Sequence, residues 1–192
     1  MRDTFKLPLI LAVISAACGA MLVFVGGRTA PARGASEQRR IVGAVRKLFG
    51  AAGKDRIAYE RIEDLDAFAV AGGETGSEFL GAAVFGRSAH GYAGEIKLLV
   101  AFDADGRLID FDVVSAQETP GLGAKIARPE FRGGFAGRSF DAAWKIRKDG
   151  GDIDAVTSAT ISSRAAVEAV ADAASRFQAV KEWFAAAVGE LP

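Results

Sequence analysis

The stretch GEIKLLVAFDADGRLIDFDVVS, residues 94–115, holds two runs of branched and aromatic side chains around a short polar segment. Branched and aromatic residues favour extended strands, so each run indicates a β-strand. Between them stands Asp105-Gly106, a pair typical of tight hairpin turns because glycine adopts a positive φ without steric cost. The stretch therefore predicts a β-hairpin.

The segments on both sides of this hairpin complete a mixed pattern. AFAVAG (67–72) and EFLGAAVFG (78–86) are short apolar runs that suit further strands. An earlier helix is indicated by apolar residues at helical spacing before Gly50, namely Ile41, Val42, Val45, Leu48 and Phe49. A long final helix over about 161–188 is indicated in the same way by Ala166, Val167, Val170, Ala173, Ala174, Phe177, Val180, Lys181 and Phe184. We expect an α+β fold with an antiparallel sheet and flanking helices.

The composition limits the chemistry that this chain can perform by itself. Acidic and basic side chains number 24 each, a balance that argues against nucleic acid as a partner. One histidine, His90, and one cysteine, Cys18, are too few for a disulfide within the chain or a Cys/His metal site. His90 lies in the loop-like segment SAHGYAG, where an exposed or hydrogen-bonded histidine is expected rather than a catalytic one. We therefore assign no catalytic residue and no metal ligand.

The N-terminal region contains an uncharged apolar segment, LPLILAVISAACGAMLVFVGG, at residues 7–27. As a helix rising about 1.5 Å per residue, it would reach about 30 Å, the thickness of a hydrocarbon core. We expect a tail at 1–6, a transmembrane helix at 7–27, a linker at 28–35 and one soluble domain at 36–192. A cleaved signal peptide and a lipoprotein modified at Cys18 are the alternatives.

The orientation of this span is left open by the charges beside it. Two basic residues, Arg2 and Lys6, precede the span, whereas five arginines follow it closely. Taken alone, the positive-inside rule places the soluble domain in the cytoplasm, but long domains translocate largely regardless of charge.

The segment ETPGLG, residues 118–123, is the first that could contact a ligand. Pro120-Gly121 indicates a turn, and Gly123 allows a second close approach of the backbone. The loop amides and the Leu122 side chain could face a flat ligand. A plain tight turn before a helix at Ala124 explains the same residues.

The segment DAVTSAT, residues 154–160, is the second segment that could contact a ligand. One of its three hydroxyl residues, Thr157, Ser158 or Thr160, can act as the N-cap of the final helix. The first turn, 161–164, contains no acidic residue, so its exposed N–H groups could instead favour an anion, with Arg164 nearby. The residues alone support a cap or a phosphate site at this helix start.

Two stretches together, 91–126 and 154–170, resemble the FMN-binding domain of the G subunit of Rnf electron-transport complexes, a relative of the C subunit of the sodium-pumping NADH:quinone reductase. The resemblance implies that a flavin transferase, using FAD as donor, attaches FMN to threonine through its phosphate. The family pattern aligns with Asp154, Thr157, Ser158, Ala159 and Thr160, which makes Thr160 the implied acceptor. Ser158 stands where glycine is usual. If that position needs a positive φ, serine is strained there and modification is slower.

The resemblance also implies flavin contact for the first loop and for one lysine that follows it. These residues are Glu118, Thr119, Pro120, Gly121, Leu122, Gly123 and Lys125.

A function is implied as well: a subunit that relays electrons within an Rnf-type ferredoxin:NAD oxidoreductase complex coupled to ion translocation, without independent catalysis. Its partners would be the other Rnf subunits, the transferase and the membrane. It would be a single-pass protein of the bacterial inner membrane with its soluble domain on the periplasmic side. A flavinylated sensory or regulatory domain and a membrane-anchored scaffold without flavin are the alternatives.

Overall fold

A computed structural model of the chain describes residues 15–16, 18–21, 23–24, 39–50, 58–72 and 78–189. The chain divides into two units, residues 1–43 and 44–192. The described residues between 15 and 24 are helical and exposed. In the described ranges, no helix is both long enough and apolar enough to cross a membrane. The rest of the predicted span, together with the predicted tail at 1–6 and linker at 28–35, lies outside the described residues.

The second unit contains a five-stranded antiparallel sheet whose strands follow one another in sequence order. The strands are β1 (Ala58–Ile62), β2 (Ala67–Gly72), β3 (Glu78–Ser88), β4 (Ile96–Asp103) and β5 (Leu108–Ser115). Each pairs with the next, so short connections are sufficient throughout the sheet. The predicted α+β fold with an antiparallel sheet is confirmed.

The predicted hairpin is formed by β4 and β5, in which Val100 pairs with Phe111. Its turn places Gly106 at φ 79°, the left-handed conformation that favours glycine. Asp103 completes the turn, because its Oδ1 accepts hydrogen bonds from the N–H groups of Asp105 at 3.0 Å and Arg107 at 2.8 Å. A carboxylate within the turn therefore fixes the register of β4 and β5.

Helix α2 (Thr160–Gly189) covers one face of the sheet, and its bounds confirm the predicted long helix within a residue at each end. Its alanines let the helix backbone approach β3 so closely that a Cβ at Gly86 would overlap Ala169 O. Further along, Phe177 is buried with its ring centroid 5.2 Å from those of Phe102 and Phe140. Burial of one such side chain contributes about 1.5–3 kcal/mol.

The helical residues 39–50 also carry the predicted apolar stripe, of which Val45, Leu48 and Phe49 are buried. Phe49 lies against β3, where a Cβ at Gly81 would come within 3.0 Å of its ring.

The region between β5 and α2 is irregular, but it is fixed by buried side chains. It contains two 3-10 helices, Gly123–Ala127 and Arg147–Asp149, and the four-residue helix α1 (Pro129–Arg132). Five large apolar side chains in it are buried: Ile126, Phe131, Phe135, Ile146 and Ile153. The loops that carry both motifs are therefore anchored in the core.

Candidate cofactor site

A cavity of about 500 Å³ opens where the loop before β4, the loop after β5 and the first turn of α2 meet. This volume lies in the range of small-molecule pockets, about 300–1,000 Å³. The lining residues are Tyr92, Glu118, Thr119, Leu122, Gly123, Ser158, Ala159, Thr160, Ile161 and Ser162. The structure thus brings the two motifs identified in the sequence into one cavity.

The rim of this cavity holds exposed apolar side chains. Tyr92 is 69% exposed, Leu122 43% and Ile161 48%. Within the described part of residues 44–192, these three are the only large hydrophobic side chains that are exposed. Apolar side chains gathered around a concave surface indicate a binding site for an apolar, flat group.

Glu118 connects the three elements that form the cavity. Its side chain is buried, and its Oε1 accepts a hydrogen bond from the Tyr92 N–H at 2.8 Å. The Oε2 atom accepts a hydrogen bond from Ser162 Oγ at 2.6 Å. Because both oxygens bond to the protein, Glu118 shapes the cavity wall by holding Tyr92 and the start of α2 in place.

Two glycines make room for this carboxylate. A Cβ at Gly123 would lie 2.6 Å from Ser162 Oγ and closer still to Glu118 Oε2. A Cβ at Gly91 would lie 2.7 Å from Glu118 Oε1. Gly123 is therefore required by the packing around the carboxylate, which is the close approach that the sequence indicated.

Thr160 is the first residue of α2 and lies in the cavity wall. Its Oγ1 accepts a hydrogen bond from Lys148 Nζ at 3.1 Å. Among the described residues, the backbone N–H groups of Thr160, Ile161 and Ser162 find no acceptor, and the first turn contains no acidic residue. A lysine ammonium beside free N–H groups at a helix start suits a phosphate group.

The hydroxyl cap expected at this helix start is not found within the described chain. No hydrogen bond joins Thr157, Ser158 or Thr160 to a first-turn N–H there. Ser163 secures the helix start instead, since its Oγ accepts from the Val156 N–H and donates to Ala159 O, both at 2.9 Å.

The backbone at Ser158 has φ 64°, within the left-handed region. This is the conformation that the glycine usual at this position would adopt without cost, whereas a Cβ there costs roughly 1–2 kcal/mol. Position 158 therefore has the positive φ that was the condition for strain at this serine.

The remaining predicted residues lie apart from this cavity. Asp154, Thr157 and Lys125 line a second cavity of about 320 Å³. Asp154 is exposed there, and its Oδ1 accepts a hydrogen bond from Arg147 Nε at 2.5 Å. Pro120 and Gly121 line neither cavity, and Gly121 turns the chain at φ 78°. The two residues shape the loop without forming the wall.

Charged side chains surround the start of α2. Arg164, expected beside the phosphate, donates two hydrogen bonds to Asp149, at 2.6 and 2.7 Å. The hydrogen bond from Arg164 lowers the pKa of Asp149, and the same bond raises the pKa of Arg164. Both groups therefore remain charged at neutral pH, and the pair holds the 147–149 turn against α2.

The single histidine is exposed, as expected, with its Nδ1 2.8 Å from Glu168 Oε2. Burial raises the pKa of Glu168, but hydrogen bonds from His90 and Ser88 outweigh it, so the pKa of this carboxyl is lowered. In the ranges that the structure describes, no group of three potential metal ligands is found.

Four site residues were not identified from the sequence: Tyr92, Lys148, Ile161 and Ser162. Tyr92 lies in the glycine-containing loop before β4, and Ile161 directly follows DAVTSAT, so an apolar residue in a loop or at a helix start is the only signal that marks them. Lys148 belongs to the basic run that precedes Asp149. Its contact with Thr160 depends on the turn that follows, which the sequence pattern does not reveal.

Residues 91–175 match the FMN-binding domain family. The G subunit of the ion-translocating oxidoreductase complex of Pseudomonas aeruginosa is 45% identical over 98 residues, which cover 48% of this chain and 46% of that protein. The G subunit of the proton-translocating ferredoxin:NAD(+) oxidoreductase complex of Clostridium ljungdahlii is 45% identical over 85 residues, covering 43% of this chain and 46% of the relative. This chain spans about half the length of the curated relatives it matches.

Among solved structures, the chain is similar to NqrC from Shewanella oneidensis, at 20% identity and a TM-score of 0.47, over 68% of this chain and 69% of the other. All the residues that line the first cavity lie within the matched segment 91–175. The resemblance inferred from the two motifs is confirmed: residues 91–175 match the FMN-binding domain family, and the chain is similar to the G subunits of ion-translocating oxidoreductase complexes.

Proposed function

We propose that Thr160 carries FMN through a phosphoester and that this chain is the membrane-anchored flavin subunit of an Rnf-type electron-transport complex. The observation that supports the attachment is the position of Thr160. Its hydroxyl lies in the wall of the cavity, beside the Lys148 ammonium and at the start of α2. A phosphate on this oxygen would lie next to a positive charge and a helix start, which both stabilise an anion.

The other cavity residues fit the flavin ring rather than the phosphate. Tyr92, Leu122 and Ile161 provide an apolar rim that a planar aromatic ring could cover. Covering them would remove apolar surface from water, which stabilises the bound state by about 25 cal/mol per Å². Because Glu118 holds Tyr92 and Ser162 by hydrogen bonds, the two sides of this rim keep a fixed separation.

FMN supplies the redox chemistry in such a subunit. The residues of the chain would bind the ring, orient it and restrict the water around it. A covalent bond to Thr160 would also prevent loss of the cofactor. This role needs no general acid or base in the chain.

The partners and the location belong to the same proposal. The names of the relatives from Pseudomonas aeruginosa and Clostridium ljungdahlii describe subunits of ion-translocating complexes, and we propose the corresponding subunits as partners of this chain. The uncharged segment 7–27 would anchor it in the cytoplasmic membrane, with the flavin domain on the periplasmic side.

The attachment can be tested by co-expressing the chain with a flavin transferase and measuring the denatured protein. We expect flavin fluorescence in a denaturing gel and an intact mass increased by about 440 Da, the size of the attached cofactor. Thr160→Ala should lose both, because the hydroxyl that forms the ester is removed.

Ser175→Ala is the matched control, since it removes an exposed hydroxyl of the same helix that lies outside both cavities and, among the described residues, bonds only to Asp172 O. It should keep the added mass. A wild-type chain without fluorescence, from cells that contain the transferase, would contradict the proposal.

A further inference from the structure

Residues 154–164, which contain Thr160, form the acceptor segment. Three consecutive side chains of the 3-10 helix Arg147–Asp149 contact three points of it. Arg147 donates to Asp154, Lys148 donates to Thr160, and Asp149 accepts from Arg164. We call Arg147–Asp149 the clasp. It contacts the acceptor segment before, at and after the acceptor hydroxyl.

The clasp has a fixed base in the core. Ile146, which precedes it, and Ile153, which follows it, are each 1% exposed and form a β-bridge. The Arg147 N–H donates to Ile153 O at 2.9 Å, and Gly150 ends the turn at φ 83°. Lys148 therefore extends from a backbone that tertiary contacts hold on both sides.

The hydrogen bond between Lys148 and Thr160 has a defined direction. An ammonium has three N–H donors and no acceptor, so Thr160 Oγ1 is the acceptor in this contact. The hydroxyl proton of Thr160 must then point elsewhere and remains available to a base. The ammonium also stabilises negative charge that develops on Oγ1 when that proton leaves.

We infer that Lys148 is a positioning residue that prepares the Thr160 hydroxyl for flavin attachment, with the clasp holding it in place. This inference rests on the proposed attachment at Thr160. In the transfer, a bond forms between Thr160 Oγ1 and the phosphorus of the FMN half of FAD, the pyrophosphate P–O bond breaks, and AMP leaves. A general base of the transferase takes the hydroxyl proton, which the Lys148 ammonium cannot accept.

The test is the rate at which the purified full-length chain gains the flavin mass when it is incubated with transferase and FAD. Lys148→Met replaces the side chain by an unbranched apolar one of similar bulk and removes its charge and donors. We expect its kcat to fall about tenfold or more, the effect of losing a charge-assisted hydrogen bond in the transition state. Its KM for the chain should stay close to wild type, because Lys148 acts on the reacting oxygen.

Lys145→Met is the matched control: Lys145 is also exposed, and its removal changes the net charge equally. It should react at the wild-type rate, and Lys148→Arg, which keeps a cationic donor, should recover most of the lost rate. Equal melting temperatures for the two methionine variants would show that the lower rate of Lys148→Met is not caused by unfolding.

Two outcomes separate this inference from the proposed function. A modified wild type with an equally fast Lys148→Met variant would overturn the role of Lys148 alone. A wild type that gains no mass would overturn the attachment and this inference together.

Discussion

The two motif segments of the cavity each turn the chain through one residue in the left-handed conformation, but they place different residues there. In the 118–123 loop the residue is Gly121, at φ 78°, and in the acceptor segment it is Ser158, at φ 64°. Glycine adopts this conformation freely, whereas serine is strained in it. The loop thus avoids left-handed strain at Gly121. In the acceptor segment that strain lies two residues before the proposed acceptor, and strained backbone is often found at functional sites.

The two segments also differ in how they are held. The loop is joined to its neighbours by the buried carboxylate of Glu118. The acceptor segment is held by the buried hydroxyl of Ser163 and, at the surface, by exposed contacts from the clasp to Asp154 and Thr160. Because water screens exposed charges, we expect substitution of Glu118 to affect stability more than substitutions in the clasp.

The largest expected loss of stability comes from Glu118→Ala. This change leaves the Tyr92 N–H and the Ser162 hydroxyl without their acceptor, and each unsatisfied group costs about 1–3 kcal/mol. We expect the free energy of unfolding to fall by about 3 kcal/mol, measured by urea denaturation. Glu118→Gln, which keeps one oxygen acceptor, should lose about 1 kcal/mol. Equal, small losses in both variants would show that Glu118 does not join the cavity walls.

A pair of glycine substitutions compares packing with backbone conformation inside the loop. At Gly123 an added Cβ would meet Glu118 and Ser162, whereas at Gly121 it would meet nothing within 4 Å. Gly123→Ala should therefore lose about 2 kcal/mol by overpacking. Gly121→Ala should lose about 1 kcal/mol through its positive φ alone. The reverse order in urea denaturation would contradict the packing assigned to Gly123.

The smallest change in the free energy of unfolding is expected for Ser158→Gly, and unlike the changes above it is a gain in stability. Relief of the left-handed strain, partly offset by the greater freedom of glycine in the unfolded chain, should stabilise the protein by about 0.5–1 kcal/mol. Ala159→Gly, at a neighbouring position without a positive φ, should be destabilising. A loss of stability in Ser158→Gly would mean that the serine is not strained in solution.

Much of the fold could be predicted because its signals are local. The hairpin at 94–115 and the helix Thr160–Gly189 follow from residue spacing and one turn. The hydrogen bond from Ser162 to Glu118 joins residues 44 positions apart, and no periodic pattern reports such a pair.

The site itself was predicted in part. Both motifs line the cavity, because each carries its own turn signals. The contact of Lys148 with Thr160 depends on the turn at Gly150 and on two buried isoleucines, which only the folded chain brings together. From sequence, strain at Ser158 could be predicted only if this position has a positive φ, because φ is set by the fold.

The central claim is that FMN is attached to Thr160 and to no other hydroxyl of this helix start. Cleavage after Lys148 and Arg164 releases residues 149–164, a peptide that contains Thr157, Ser158, Thr160, Ser162 and Ser163. Fragmentation of this peptide from chain co-expressed with the transferase locates the modification directly. We expect the additional mass of about 440 Da on every fragment that contains Thr160 and on none that lacks it. The same mass on Thr157 or a serine, or a peptide without it, would contradict the account.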